Sequence, residues 1–328
     1  MNSRPLTYAQ AILEAFTQLF ESDPRVFAIG QGVWSPWYVG ASMTDLDKRF
    51  GRDRVIDSPV SENAMTGAAL GAALAGLRPI VIHPRMDFML LATDQIINEA
   101  ANWCSMFGGR VHAPVVIRAI INRGGEQGAQ HSQALHASFA HVPGLKVVMP
   151  ATPYDAKGLL IAAVADGNPV LYIDDRWLYQ EIGDVPTELY STPIGKAFVR
   201  RAGRDVTVVA ISHMVAESMK AATTLATDGV DVEVIDVCSV KPLDDATIVA
   251  SVRKTGRLVV ADTGWRNGGV PAEIIARVAE QIPAALRAPV VRVVLPDAPA
   301  PTSGALEQTY FLSAANVVAA VKRVLNRD

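Results

Sequence analysis

The stretch RVIDSPVSENAMTGAALGAALAG, residues 54–76, carries a carboxylate at a position suited to chemistry. Val55-Ile56 reads as the end of a strand. Asp57-Ser58-Pro59 reads as a turn, because Pro fixes φ and short polar side chains bond their own backbone. Ser61 stands where it would cap a helix beginning at Glu62. That helix is crowded with Ala64, Gly67, Ala68, Ala69, Gly71, Ala72, Ala73 and Ala75, so another backbone can approach it closely. Glu62 therefore lies in the first turn of a helix that opens at a strand end, the edge where open α/β sheets bind ligands. The helix macrodipole also favours a Glu there, so its chemistry has to be read together with other groups.

Of the six histidines, His131 is flanked by Gly128, Ser132 and Gln133 in a loop leading to a helix. A neutral imidazole there can donate or accept a proton near pH 7. His136 and His141 follow at helical spacing and read as structural, His136 also as a pocket wall. His83, His112 and His213 have no such context, and no metal-ligand spacing joins them to Cys or carboxylates. Cys104 and Cys238 cannot form a disulfide framework and read as core residues rather than nucleophiles. No strand runs into G-x-G-x-x-G with a later acidic residue, which argues against a nicotinamide site.

The elements that position these residues alternate along 328 residues, a length that suggests two domains. Strands are expected at 26–30, 78–83, 115–118, 145–149 and 169–173, with helices at 7–21, 46–50, 86–109 and 150–165 between them. Thr7 is the expected cap of the first helix. Residues 30–43 read as a partly buried loop rich in Gly and aromatics. Residues 180–196, with two prolines, two glycines and no periodicity, break the rhythm. Strands at 206–211, 232–237, 258–262 and 290–294 then alternate with helices at 215–228, 244–255, 270–281 and 314–326. The fold class is α/β, two doubly wound parallel domains, at 1–180 and 199–328, joined by a linker at 181–198.

Hydrophobic residues make up 50% of the chain and charged residues 19%, which fits a compact enzyme with a large core. A net charge of −3 leaves no basic footprint for nucleic acid. No apolar run is long enough for a membrane span. The opening MNSRPLTYAQAILEAF shows no signal-peptide pattern, and the expected compartment is cytoplasmic.

Five pieces stand in one order: SPVSENAMTGAALGAA (58–73), MDFMLLATDQIINEAA (86–101), GAQHSQALHASFAHVPGLKVVMPATPYDAKGLL (128–160), DGNPVLYID (166–174) and VDVEVIDVCSVKPLD (230–244). On these pieces the chain resembles the β subunit of the thiamine diphosphate-dependent 2-oxo acid dehydrogenases, the family of pyruvate and branched-chain 2-oxo acid dehydrogenases. The resemblance runs from about Leu6 to about Glu307. It implies a pyrimidine-binding domain followed by a transketolase-type C-terminal domain. It implies that Glu62 hydrogen-bonds the aminopyrimidine ring of thiamine diphosphate, so that the cofactor acts as its own base, and that Phe88 packs on that ring. It gives His131 the task of positioning the substrate carboxylate or the intermediate and of helping transfer to a lipoyl group. It also implies a potassium ion held by main-chain oxygens of Val115, Ala163, Val164 and Asp166, with Asn168; such oxygens are hard ligands.

Thiamine enzymes hold the diphosphate and Mg²⁺ with a G-D-G run followed later by Asn. Here Gly183-Asp184 is followed by Val185, and no such run is found. The resemblance therefore implies an α subunit bearing that half of the site, in an α₂β₂ heterotetramer with the cofactor at the α/β interface. It also implies a lipoyl-bearing acyltransferase as a further partner. Three places depart from the family pattern. Gln31 in Gly30-Gln31-Gly32-Val33 stands where an acidic residue is usual, so the proton relay ascribed to that residue loses its carrier. SPWYVGASM (35–43) and INRGGEQG (121–128) replace the usual Gly-rich segments at the substrate entrance, so the substrate need not be pyruvate. A split transketolase-like transferase, moving a two-carbon or acyl unit to an aldehyde or sugar, would share Glu62 and the fold. A non-catalytic scaffold subunit is the other alternative, and Glu62, Phe88 and His131 together argue against it.

Overall fold

In the computed structural model, which describes residues 2–326, the chain divides into two compact units. One comprises Met1–Arg123 and Ser138–Ile194, the other Gly124–Ala137 and Gly195–Asp328.

The first unit follows the order β1 (Ser3–Thr7), α1 (Tyr8–Ser22), β2 (Val26–Gly30), α2 (Leu46–Phe50), β3 (Val55–Asp57), α3 (Glu62–Leu74), β4 (Arg78–His83), α4 (Ala101–Met106) and β5 (Val116–Ile121). Then come α5 (His136–Ala140), β6 (Lys146–Val148), α6 (Pro153–Ala165), β7 (Val170–Asp175) and β8 (Ile182–Pro186). In this unit the parallel sheet runs β6-β7-β5-β4-β2-β3. Every residue of β5 and β7 is buried, as expected of strands covered on both faces. At the start of α1, Gln10 N donates to Thr7 Oγ1 and Thr7 N donates to Gln10 Oε1, so the expected cap is a complete capping box.

Two expectations are revised here. Residues 86–109 do not form one long α-helix. The chain winds as a 3₁₀ segment (Met86–Ala92), a π segment (Asp94–Ala100) and then α4, and stops at Gly108-Gly109, both in the left-handed region. Apolar residues at helical spacing suit all three windings over so short a span. Packing against small-residue α3, where a Cβ on Gly67 would lie 3.6 Å from Gln95 Cγ, selects among them. Within the expected linker, Ile182–Pro186 forms β8, paired antiparallel with β1 from Ser3↔Pro186 to Thr7↔Ile182. Neither strand shows apolar alternation, and a proline sits in each. The segment is further held by Lys157 Nζ, which donates to Pro186 O and Glu188 O at 2.8 Å and to Glu14 Oε1 at 2.6 Å.

The second unit follows the order β9 (Phe198–Arg201), β10 (Val206–Ala210), α7 (His213–Thr227), β11 (Val232–Asp236), β12 (Ser239–Lys241), α8 (Asp245–Thr255), β13 (Leu258–Trp265), α9 (Val270–Gln281), β14 (Val291–Leu295), α10 (Gly304–Tyr310) and α11 (Ala314–Leu325). Its sheet runs β14-β13-β10-β11-β9, parallel except for β9. The sequence reading did not include β9, β12 or α10. No helix among the described residues is long and apolar enough to cross a membrane.

Candidate active site

In the first unit, β2 and β4 meet at Gly30, where a Cβ would lie 2.6 Å from Ile82 O. No side chain fits there, and the strand end closes directly onto the loop that follows. Gly32 has φ +67°, the Tyr38 ring occupies the space a side chain would need, and its N–H donates to Asp57 Oδ1 at 2.6 Å. Trp34 Nε1 donates to Val55 O at 2.7 Å. The end of β3 thus pins the loop after β2, and Gln31 with it.

Glu62 lies in the first turn of α3 and is 4% exposed. Gln31 Nε2 donates to its Oε1 at 3.4 Å, and it has no second hydrogen-bond partner among the described residues. Gln31 Oε1 is buried and also unpartnered. The expected cap is different in detail: Ser61 occupies the N-cap position, but its hydroxyl bonds Asn63 Oδ1 at 3.3 Å rather than a helix N–H. One turn along α3, buried Thr66 Oγ1 is 3.2 Å from His83 Nε2 at the end of β4. Burial pushes His83 down to about 3, so it is neutral, and its Nδ1 has no hydrogen-bond partner among the described residues. Phe88 is half-buried in the 3₁₀ segment that packs on α3.

A buried carboxylate with one neutral neighbour and one free oxygen can hold a hydrogen bond or a proton at a ring nitrogen. An aromatic on the adjoining segment can cover such a ring. These residues fit the pyrimidine end of thiamine diphosphate.

His131 belongs to the second unit. It ends the 3₁₀ turn Ala129–His131, half-buried, with its N–H on Gly128 O at 3.4 Å. Buried Ser132 follows, its hydroxyl without a hydrogen-bond partner among the described residues. Fully buried His136 Nε2 donates to Asp262 Oδ2 at 2.9 Å, and Asp262 is also fully buried. A carboxylate accepts, so the proton is on Nε2.

The residues expected to hold potassium lie in the first unit. Arg78 Nη1 donates to Val164 O at 3.1 Å and Asp166 O at 2.8 Å, Val170 N donates to Val115 O at 3.1 Å, and Asn168 N donates to Asp166 Oδ1 at 2.9 Å. Each of these carbonyls keeps a second lone pair that a hard cation can use. Neither unit, among its described residues, gathers three His, Cys, Asp or Glu side chains into a metal cluster by itself.

The structure places Glu62 and Phe88 on neighbouring elements of the first unit and His131 in the second. The Gln31–Glu62, Thr66–His83 and His136–Asp262 contacts were not read from the sequence. Each joins residues far apart in the chain, and no local pattern marks them.

Residues 4–181 match the family described as Transketolase, pyrimidine binding domain, and residues 195–317 match Transketolase, C-terminal domain. The chain is 41% identical to the acetoin:2,6-dichlorophenolindophenol oxidoreductase subunit beta of Cupriavidus necator, over 98% of each chain. It is 40% identical to the pyruvate dehydrogenase E1 component subunit beta of Rhizobium meliloti, over 97% of this chain and 70% of that one. Among solved structures it is similar to a split-gene transketolase described as an inactive beta4 tetramer, with TM-score 0.79 and 25% identity over 98% of each chain.

Proposed function

The chain belongs to the family of pyruvate and acetoin dehydrogenase β subunits, built from transketolase pyrimidine-binding and C-terminal domains, and from that premise we propose that it is the β component of a thiamine diphosphate-dependent enzyme. Its reaction is the oxidative decarboxylation of a pyruvate-like or branched-chain 2-oxo acid, with the acyl group passed to a lipoyl acceptor. The observation that carries this reading is Glu62: buried, in the first turn of α3, with one oxygen on a neutral amide and no other hydrogen-bond partner among the described residues.

Bound thiamine diphosphate supplies the electron sink for cleaving the bond next to the carbonyl. Glu62 holds the hydrogen bond at the pyrimidine nitrogen, Gln31 orients its carboxylate, and burial keeps water from competing for it. Phe88 covers the ring. His131 orients the substrate carboxylate and exchanges a proton with the reacting group.

The pyrimidine-binding domain is assigned to 1–180, the linker to 181–198 and the transketolase-type C-terminal domain to 199–328. An α subunit in an α₂β₂ heterotetramer holds the diphosphate and Mg²⁺, and a lipoyl-bearing acyltransferase receives the product in the cytoplasm. Potassium at the loop of Val115, Ala163, Val164, Asp166 and Asn168 would stabilise the first unit, so KCl should raise the melting temperature above that in tetramethylammonium chloride. Equal values would remove potassium from the proposal.

A second reading is cleavage of acetoin, favoured by the 41% identity to a subunit named for that substrate. The test is thiamine diphosphate-dependent reduction of dichlorophenolindophenol by the chain co-expressed with its α partner. Pyruvate, a branched-chain 2-oxo acid, acetoin and a ketose phosphate are compared. Turnover of the ketose phosphate alone would move the chain to the transferase reading. No turnover by a cofactor-loaded complex would leave the scaffold reading.

A further inference from the structure

The loop after β2 and the turn after β7 both belong to the first unit. They enclose a cleft of about 300 Å³ lined by Pro36, Trp37, Ala41, Arg176, Tyr179 and Gln180. That volume suits a small molecule. Tyr179 is buried, and its hydroxyl donates to Asp174, which also accepts from Arg118, so this wall is preformed. Gly40, at φ +63°, lets the loop close on the Tyr179 ring, because a Cβ there would run into Cε2. Trp37 is 72% exposed and stands edge-on to Tyr38 at 6.1 Å.

The charge around this cleft is unbalanced. β7 ends in Asp174-Asp175, and Arg176 follows in the turn Arg176–Leu178. Both carboxylates are taken, Asp174 by Arg118 and Asp175 by Arg123. Arg176 has no ion-pair partner among the described residues. Its Nη2 donates to Tyr38 O, its Nε is buried without a hydrogen-bond partner, and its Nη1 donates to none of the described residues. Arg85, the residue before the 3₁₀ segment Met86–Ala92, is in the same condition. Its Nη1 donates to Pro84 O at 3.1 Å, and its Nε is buried without a hydrogen-bond partner. The two guanidiniums share Tyr38: Arg176 bonds its carbonyl, and Arg85 lies 6.0 Å from its ring centre. Burial, and after it the positive charge of Arg176, hold Arg85 below the ordinary arginine range; Tyr38, Asp87 and Tyr179 offset this only in part.

A guanidinium bonded only to a carbonyl keeps N–H groups for an anion, and such charge-assisted bonds are the strong ones. Pro36, Trp37, Ala41 and the Tyr179 ring supply apolar walls beside it. One guanidinium among apolar walls matches a single negative charge on an apolar body. A phosphate would leave those walls unused. We propose that this cleft binds a small monocarboxylate with an apolar or aromatic body, its carboxylate on Arg176 and its body against Trp37. Arg85 lies outside the lining and strengthens the field that draws the anion in. The site is separate from the thiamine-dependent reaction and does not rest on it.

The test is calorimetric titration of phenylacetate into the full chain and into its cofactor-loaded complex with the α partner. Phenylacetamide keeps the body without the charge, acetate keeps the charge without the body, and inorganic phosphate is the competing anion. Phenylacetate should bind at one site per chain in both preparations, more tightly than any of the three. Arg176→Gln should weaken it about 10- to 100-fold, the range of a lost hydrogen bond to a charged group. Trp37→Ala should weaken phenylacetate and leave acetate unchanged; so exposed a side chain can be removed without unfolding the chain, so this variant carries the test if Arg176→Gln does not fold. Arg85→Gln should weaken binding by a smaller factor that shrinks as salt is added.

Phenylacetate binding that is unchanged in both Arg176→Gln and Trp37→Ala would place it elsewhere and overturn the proposal. So would phenylacetamide or phosphate binding as tightly as phenylacetate, or no binding at millimolar phenylacetate. Binding to the chain alone and not to the complex would show the cleft covered by the α partner, and would equally overturn it. Turnover is not read in any of these titrations, so their failure leaves the proposed reaction untouched.

Discussion

Glu62 and His83 contrast in chemistry: one is a buried acid, the other a base silenced by burial and in contact with Thr66. His83 has a pH consequence that can be read from its sign. Its folded value is about 3 against an ordinary value of 6.5. Above 6.5 both folded and unfolded forms are neutral there, and the full stability is present. As pH falls from 6.5 towards 3, the unfolded chain takes up a proton that the folded chain refuses. This one group then removes up to ~1.4 kcal/mol of stability per pH unit. A His83→Phe variant should therefore lose melting temperature more slowly than wild type as pH drops below 6.5. Parallel curves would contradict this. At this scale the sequence was half legible. Glu62 announced itself through a strand end, a turn and a first helical turn. Gln31 showed only as a departure from a family pattern, because its contact with Glu62 depends on how the loop after β2 is pinned to β3.

The elements that carry the site are fixed by close packing and by buried ion pairs. At Gly30 the strands β2 and β4 leave no space for a methyl group. Gly30→Ala should cost about 1–3 kcal/mol, visible as a lower urea midpoint, and should weaken cofactor binding because Gln31 follows directly. A wild-type midpoint would show that the strands can part without penalty. Between β5 and β7, fully buried Arg118 donates to both carboxylate oxygens of Asp174, at 3.0 and 2.8 Å, with Tyr179 and Ser42 completing the cluster. Removing one partner strands a buried charge, so Asp174→Ala should destabilise by about 3–5 kcal/mol in the same titration. A loss below about 1 kcal/mol, the range of an exposed pair, would contradict this. Existence and type of most elements were legible, because period and length mark buried strands and amphipathic helices. The winding of 86–106 was not, since 3₁₀, π and α segments share the same apolar spacing there. β1 and β8 were hidden by their prolines and by lying in a two-stranded ribbon in which Val185 and Pro186 alone are buried.

For the whole molecule, alternation along the chain predicts two doubly wound units, and two such units are observed. What the linear order concealed is the exchange of Gly124–Ala137, which leaves the first unit to join the second. No composition shift marks it, because its anchors, Glu126 on Glu307 and His136 on Asp262, are single residues spread over the chain. The chain also lacks the G-D-G run, so the diphosphate half of the cofactor is expected on an α partner. The chain alone should then bind thiamine diphosphate far more weakly than the co-expressed pair, by fluorescence titration with Mg²⁺ present; equal affinity would place the whole site in this chain. The most direct measurement is single-turnover cleavage by the α/β complex, wild type beside Glu62→Ala, with thiamine diphosphate, Mg²⁺ and an artificial electron acceptor. The expected result is release of CO₂ from a 2-oxo acid by the wild type and a loss of about 10²- to 10⁴-fold in the variant, with the complex still assembled. Undiminished turnover in Glu62→Ala would contradict the assignment of Glu62 as the pyrimidine-binding acid on which the proposed function rests.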